Sequence, residues 1–258
     1  MLFLFLGGIL FGLIIVFRII EPTYLLLFNK PLFIFWHPIL NKMNGADKTI
    51  LRREFPFYLN LSDKKKGYFE HRVKCFIDHY NFDGKDIEVT QEMKLIIAGT
   101  YVMLTFGMRT YLLELFENIV IYPSVYYSVI NEEYHKGEYN PRMKSVVFSW
   151  EDFLSGHQTK DNINLGLHEF AHVLHFDSVR KRRPGSSAVI YSDMFDNIMQ
   201  YLAKPENRKR LIGAGYFRDY AYTNQYEFIA VLLEHFFETP VEFRQKFPEL
   251  YIMVKKMI

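Results

Sequence analysis

The chain has 258 residues, of which 50% are hydrophobic, and a formal net charge of +2. This length suits one domain with a full core plus an appendage, and the nearly balanced charge argues against nucleic-acid binding as its main task. The single cysteine, Cys75, excludes an internal disulfide and suits a reducing compartment.

The N-terminus is apolar. Residues 1–17 carry no charged side chain and predict an uncleaved transmembrane anchor over residues 1–20. A cleaved signal peptide is the alternative, but the usual basic start is missing and no small-residue cleavage site follows. A second apolar run, Tyr24 to Leu40, is broken by polar residues and prolines. It favours an interfacial, membrane-proximal segment over residues 21–45 rather than a second span.

Positive charge predicts the orientation of the anchor. No lysine or arginine precedes the span, whereas several follow it closely: Arg18, Lys30, Lys42, Lys48, Arg52 and Arg53. Such an excess marks the cytoplasmic side. We therefore expect a single-pass protein of the inner (cytoplasmic) membrane whose catalytic domain faces the cytoplasm. The orientation would reverse if Tyr24 to Leu40 also crossed the membrane.

Residues 46–258 form the predicted soluble body. Ser62 opens a helix that runs to about Tyr80, and Thr90 caps a second, apolar helix to about Phe106. Short runs rich in β-branched and aromatic residues follow at Asn118 to Tyr122 and Ser145 to Trp150, and they predict strands.

The second of these runs has two interpretations. Its place just before the most distinctive helix suits an edge strand that binds an extended peptide. An ordinary core strand explains Ser145 to Trp150 equally well. Between the two runs, Asn131 to Pro141 is polar and is predicted to be a loop.

The stretch Leu165 to Asp177, LGLHEFAHVLHFD, holds His168, Glu169 and His172 in the H-E-x-x-H arrangement. Residues four apart on a helix share one face, so both imidazoles can bind one metal ion while Glu169 stands beside it. This arrangement is typical of metal-assisted peptide hydrolysis.

An amphipathic helix with structural histidines is the simpler alternative. The residues around the motif favour the metal site. Asp161 or Asn162 can cap the helix, and most of the helix residues outside the motif are apolar. Burying two histidines and a glutamate without a partner would be costly, and a metal ion supplies that partner.

A hydrolytic zinc site needs a third protein ligand, and Tyr220 to Phe237 contains a candidate. Glu227 and Glu234, seven residues apart, share one face of a helix that Asn224 can cap. Glu227 would bind the metal, and Glu234 would orient a ligand histidine. From spacing alone, Glu227 fits a capping box equally well.

Other side chains compete for these roles. His235 and His175 are alternative ligands, although His175 is rotated away from the face shared by His168 and His172. Tyr220 is a candidate for stabilising the oxyanion of a tetrahedral intermediate.

From about Phe55 to the C-terminus the chain resembles the bacterial zinc peptidases typified by Mlc titration factor A, whose catalytic region is similar to that of anthrax lethal factor. The resemblance rests on ordered segments: FPFYLNLS, TQEMKLIIAG, IVIYPSVY, VVFSWEDF, LHEFAHVLHFD and YTNQYEFIAVLLEHFF. HEFAH followed by N-x-x-E-F-x-A is much more specific than H-E-x-x-H alone.

The resemblance implies a role for each candidate. His168, His172 and Glu227 match the zinc ligands of the family, Glu169 its catalytic base, and Tyr220 its transition-state tyrosine. One departure is that family members commonly have an aspartate three residues after the second histidine, where this chain has His175.

Together these observations predict an α+β, zincin-like metallopeptidase domain behind an N-terminal transmembrane helix, with Zn²⁺ as cofactor and a peptide or protein as substrate. A zinc-containing regulatory module that sequesters a protein partner without turnover is the alternative. An integral-membrane scaffold that does not need zinc is a third class. The enzyme is favoured because a structural zinc site is normally closed by a fourth ligand, and no cysteine or histidine is an obvious fourth.

Overall fold

The computed structural model describes residues 1–28, 31–35, 37–128, 132–182 and 187–258. The described helices are α1 (Leu2–Ile15), α2 (Glu21–Phe28), α3 (Gly45–Glu54), α4 (Pro56–Leu59), α5 (Asp63–His79), α6 (Gln91–Thr105), α7 (Trp150–Gln158), α8 (Leu165–Arg180), α9 (Ser187–Ala203), α10 (Pro205–Gly213), α11 (Gln225–Glu238), α12 (Pro240–Lys246) and α13 (Pro248–Met257). A π-helical turn (Val16–Ile20) joins α1 to α2, and a 3₁₀ turn (Asp219–Tyr222) precedes α11.

The strands are β1 (Asn81–Gly84), β2 (Asn118–Tyr122), β3 (Tyr126–Ser128), β4 (Glu133–His135), β5 (Gly137–Asn140) and β6 (Ser145–Ser149). A four-stranded sheet has the order β1-β2-β6-β5, in which β1, β2 and β6 are parallel and β5 is antiparallel to β6. β3 and β4 form a separate antiparallel pair. The mixture of helices with a small sheet confirms the expected α+β class.

The edge-strand interpretation of Ser145 to Trp150 is wrong. β6 lies inside the sheet between β2 and β5, and four of its five residues are buried. Such a run, buried on both faces, belongs in the interior of a sheet. The edges are instead β1 and β5, and β5 lies in the described part of the predicted loop Asn131 to Pro141.

Most of the predicted helix starts are confirmed. Ser62 and Thr90 occupy the N-cap positions of α5 and α6, and the Thr90 hydroxyl accepts a hydrogen bond from the Met93 amide. Asp161 or Asn162 as the cap of α8 is wrong, because these residues lie in the preceding turn and Asn164 caps the helix.

Helix α6 lies at the centre of the core, as its apolar sequence predicts. It packs on α3, α5 and α8 and buries eleven of its fifteen residues. A Cβ atom at Gly166 of α8 would lie 2.6 Å from ring atoms of Phe153 and 3.2 Å from Thr100. Gly166 therefore allows α8 to lie close to α7 and α6, which fixes the H-E-x-x-H helix against the core.

The N-terminal helix continues beyond the predicted anchor. α1, the π-helical turn and α2 form one apolar helix, long and apolar enough over Phe3–Phe28 to cross a membrane, and its most apolar window is not buried. Its last turns contact the body, because Glu21 and Leu25 are buried and Glu21 forms an ion pair with Arg109. Residues 29, 30 and 36 of the second apolar run lie outside the described residues.

Candidate metal centre

The first turn of α8 is held by Asn164. Its Oδ1 atom accepts a hydrogen bond from the Leu167 amide at 2.9 Å, and its Nδ2 atom donates to the Gly156 carbonyl at 3.1 Å. From this fixed start, His168 and His172 project from one face of the helix, with ring centroids 4.8 Å apart. The H-E-x-x-H spacing thus produces the shared face that the sequence predicts.

Glu227 reaches the two histidines from α11, which packs directly on α8. Its Oε2 atom lies 2.8 Å from Nε2 of His168 and 3.6 Å from Nε2 of His172. The three ligand atoms lie within 4.8 Å of one another. The structure therefore brings together His168, His172 and Glu227, which are far apart in sequence.

The capping alternative for Glu227 is partly correct. The Asn224 side chain accepts hydrogen bonds from the amides of Tyr226 and Glu227, so Asn224 caps α11 as predicted. The Glu227 carboxylate, however, faces the two imidazoles. The cap therefore satisfies the backbone amide of Glu227, while its side chain is available for a metal.

These residues fit a zinc ion. Two imidazole nitrogens and one carboxylate oxygen are a donor set typical of catalytic zinc, which keeps a further position open. The Oε2 atom of Glu227 is buried and lies against the two imidazoles, 2.8 Å from Nε2 of His168. A buried carboxylate oxygen in this state needs a cation.

The electrostatics of the metal-free centre favour a proton in the place of the metal. Burial lowers the pKa of His168, but the carboxylates of Glu227 and Glu234 outweigh it and raise that pKa to about 10. Burial opposes the ionisation of Glu227, yet His168 and His172 hold its pKa well below the usual range. The cluster is therefore an ion-paired site that binds a positive charge.

Glu234 supports His168 from the far side of the ring. Its Oε1 atom lies 3.2 Å from Nδ1 of His168, and its side chain is almost fully buried. Arg218 holds Glu234 through two contacts, from Nη1 to Oε2 at 2.6 Å and from Nη2 to Oε1 at 3.1 Å. The predicted contact between Glu234 and a ligand histidine is thus present.

Arg218 was not identified from the sequence. It lies in the loop before α11, and its contacts reach Glu234 on α11 and the backbone carbonyl of Asn162, ahead of α8. The sequence places it two residues before Tyr220, but no helical or metal-binding spacing links it to Glu234. Only the packing of the loop reveals its role.

Glu169 is buried beside His168 and His172 and next to the edge strand. Burial raises its pKa more than the imidazoles of His168 and His172 lower it. A Cβ atom at Gly137 of β5 would lie 2.9 Å from Cγ and 3.2 Å from Oε1 of Glu169. The backbone of β5 therefore passes directly beside the Glu169 carboxylate, a relationship that the sequence did not reveal.

Tyr220 lies at the mouth of the site. Its side chain is half exposed, and its ring centroid is 5.9 Å from that of His168. Burial and the neighbouring Glu227 carboxylate raise its pKa to about 12, so its hydroxyl keeps the proton at neutral pH. This protonated hydroxyl is a hydrogen-bond donor next to Glu227.

The competing ligands point elsewhere. His175 packs on Phe195 and Tyr226 at ring distances of 4.5 and 5.0 Å, and His235 packs on Tyr216 at 4.6 Å. Asp177, which follows the motif, forms an ion pair with Lys181 at 2.9 Å. None of these belongs to the ligand cluster found among the described residues.

Comparison with known proteins points to a metal-dependent peptidase. The family model described as "Glucose-regulated metallo-peptidase M90" matches residues 40–257. An uncharacterized protein of Synechocystis sp. is 26% identical over 251 residues, which cover 89% of this chain and 85% of the relative. The family match and the mixed helix-and-sheet architecture confirm the zincin-like α+β fold.

Proposed function

The chain belongs to the glucose-regulated metallo-peptidase family M90, and from that membership we propose that it is a membrane-anchored zinc peptidase with Glu169 as its general base. The observation that carries the proposal is the cluster of three donor atoms within 4.8 Å, with a buried glutamate beside it. This is the minimum set for metal-assisted hydrolysis of a peptide bond.

His168, His172 and Glu227 would hold the metal. A bound zinc ion would supply Lewis acidity toward a water molecule and toward the peptide carbonyl. Glu234 accepts a hydrogen bond from Nδ1–H of His168, which leaves Nε2 free to bind the metal. Arg218 neutralises Glu234 and keeps it in place.

Glu169 and Tyr220 would perform the proton chemistry. Glu169 has a raised pKa because it is buried, which suits a group that accepts a proton from the attacking water and returns it to the leaving amine. Tyr220, which keeps its hydroxyl proton, would donate a hydrogen bond to the oxyanion that develops on the substrate.

The edge strand β5 would bind the substrate. It pairs with β6 along one side through all four of its residues, and no other described strand pairs with its outer side. An extended peptide can add to such an edge through backbone hydrogen bonds. Gly137 would bring that peptide close to Glu169. This assigns to β5 the role that the sequence suggested for Ser145 to Trp150.

The N-terminal helix supports a membrane location. We propose residues 1–20 as the anchor, 21–45 as the membrane-proximal segment and 46–258 as the catalytic domain, with α2 extending the anchor helix. The lysines and arginines that follow the span favour a domain facing the cytoplasm. The N-terminal sequence of the mature protein distinguishes an anchor from a cleaved signal sequence, since cleavage would remove the span.

Peptide cleavage tests the proposed enzyme. The full-length protein in detergent, its Glu169→Gln variant and a control variant of the exposed Glu249, Glu249→Gln, are loaded with zinc and incubated with a mixed peptide pool. We expect mass spectrometry to find cleavage by the parent and the control but not by Glu169→Gln, at equal zinc content. If all three hold zinc and none cleaves, the alternative of a zinc-containing binding module gains support.

A further inference from the structure

A cavity that none of the three candidate metal ligands lines lies beside the start of α8. Its volume is about 750 Å³, within the range of small-molecule sites. It lies between the α3–α4 corner, the end of α7, the first turn of α8 and the C-terminal helices. Its apolar walls include five aromatic side chains: Phe55, Phe57, Phe236, Phe237 and Tyr251.

Three carboxylates line this cavity, and two of them are already paired with cations. Glu54 lies 2.5 Å from Arg53 and 3.3 Å from His157, and Glu242 lies 3.1 Å from Lys246. Glu238 differs from both. Its oxygens accept hydrogen bonds from the Asn162 amide at 2.7 Å and from the Asn164 side chain at 3.0 Å.

Both partners of Glu238 are neutral, and no lysine, arginine or histidine of the described ranges lies within ion-pair distance of it. The carboxylate is nevertheless largely buried, and burial with the nearby Glu234 charge raises its pKa to about 7. A buried acid that lacks a counter-charge favours a positive group in the adjacent space. Among the described residues that line the cavity there is one lysine, Lys160, and it is exposed.

We propose that this cavity binds an organic cation, an ammonium group carried on an apolar or aromatic body. The ammonium would pair with Glu238, and the aromatic walls would cover the apolar part and attract the cation through their ring faces. A bare metal ion fits less well, because most of the lining is apolar. The site is distinct from the proposed zinc site, since none of its lining residues is a predicted metal ligand.

Hydrogen bonds connect this cavity to the metal centre. Asn164 donates to Glu238 and also caps α8, the helix that carries His168. Asn162 donates its amide to Glu238, and its carbonyl accepts from Arg218, which holds Glu234 against His168. A cation bound to Glu238 would weaken the hydrogen bonds that this carboxylate accepts from both asparagines. Occupancy of the cavity and metal binding would therefore influence each other.

Calorimetry with matched probes tests the binding. Phenylbutylamine is protonated at neutral pH, and phenylbutanol is its neutral counterpart of similar shape. We expect the full-length protein to bind the amine at least about tenfold more tightly than the alcohol. Glu238→Gln should remove this preference, and Glu249→Gln should keep it. Equal affinities of the parent for both probes, or an unchanged preference in Glu238→Gln, would overturn the inference.

The coupling is tested by repeating the titration with and without zinc. Coupling free energies between two sites are reciprocal, and we expect the affinity for phenylbutylamine to change about fivefold or more on zinc loading. Identical affinities would overturn the coupling. This part rests on the proposed metal site, whereas the binding of the amine does not. A protein that binds the amine but cleaves no peptide would therefore refute the peptidase alone.

Discussion

The Nδ1 atom of His168 lies 3.2 Å from Oε1 of Glu234, while the Nε2 atom of the same ring faces Glu227. One imidazole is thus held between two carboxylates, and both carboxylates come from α11, about two helical turns apart. The contact with Glu234 selects the tautomer that leaves Nε2 available for a metal.

We expect Glu234→Gln to weaken zinc binding about 10- to 100-fold, the usual effect of losing a carboxylate behind a ligand histidine. The glutamine would remove one of the charges that raise the pKa of His168 and would leave Arg218 without its ion pair. Competition with a zinc chelator measures the affinity, and Glu249→Gln is the exposed control. An unchanged affinity in a folded variant would show that Glu234 does not support the metal ligand.

We expect Gly137→Ala to lower kcat about 10²-fold while zinc content stays unchanged. The new methyl group would meet Cδ1 of Leu165 at 2.7 Å and Cγ of Glu169 at 2.9 Å, so these side chains or the edge strand must shift. Small misplacements of a reacting group are costly. Gly213→Ala is a matched control, because nothing lies within 4 Å of its added atom. Full activity of Gly137→Ala would argue against Glu169 as the positioned base.

Zinc binding at pH 7 should release about one proton from the site. The pKa of His168 is about 10 in the metal-free protein, so the ring is protonated at pH 7, whereas a metal ligand must be neutral. Calorimetric titrations in buffers of different ionisation enthalpy measure the number released. The affinity should also fall as the pH is lowered from 10. Titrations that give the same enthalpy in every buffer would contradict a protonated His168.

The charge of Glu238 should make the protein less stable as the pH rises through about 7. Its pKa rises from 4.5 to about 7 on folding, mainly through burial, so its contribution to stability is fully present below pH 4.5 and is lost above pH 7. After a discount for solvent screening of this partly exposed group, we expect a loss of about 1–2 kcal/mol.

Thermal unfolding at pH 5 and pH 8 checks this prediction. Glu238→Gln should lose less stability over that interval than the parent, and Glu249→Gln should match the parent. Parallel pH profiles for the parent and Glu238→Gln would show that this carboxyl group does not control the effect.

Local chemistry explains which parts of the structure the sequence predicted. Thr90 and Asn224 cap helices through short-range hydrogen bonds, and the four-residue spacing of His168 and His172 places both on one face. These features depend only on residues that are close in sequence, so they can be predicted from one sequence alone. The prediction of Glu227 as the third metal ligand needed the family resemblance, because a capping box explains the same spacing of Asn224 and Glu227.

Other features depend on contacts between distant segments. Nothing in the polar stretch around Gly137 indicates a strand, since β5 forms by pairing with β6. Arg218 reaches Glu234 only after its loop packs against α8 and α11. The sequence predicts the cap of α8 two or three residues too early, because Asp161, Asn162 and Asn164 are all suitable capping residues and the turn geometry selects the last.

The ion pair between Glu21 and Arg109 has a mechanical consequence for a protein anchored as we propose. The helix that would leave the bilayer is fastened to the domain within its own last turns, with Leu25 buried and the Phe33 carbonyl bound by Arg109. The domain would therefore be connected rigidly to the anchor helix rather than through a flexible linker. The distance between the metal centre and the membrane surface would then be fixed. Only substrates whose peptide bonds lie at that distance from the membrane would reach the metal centre.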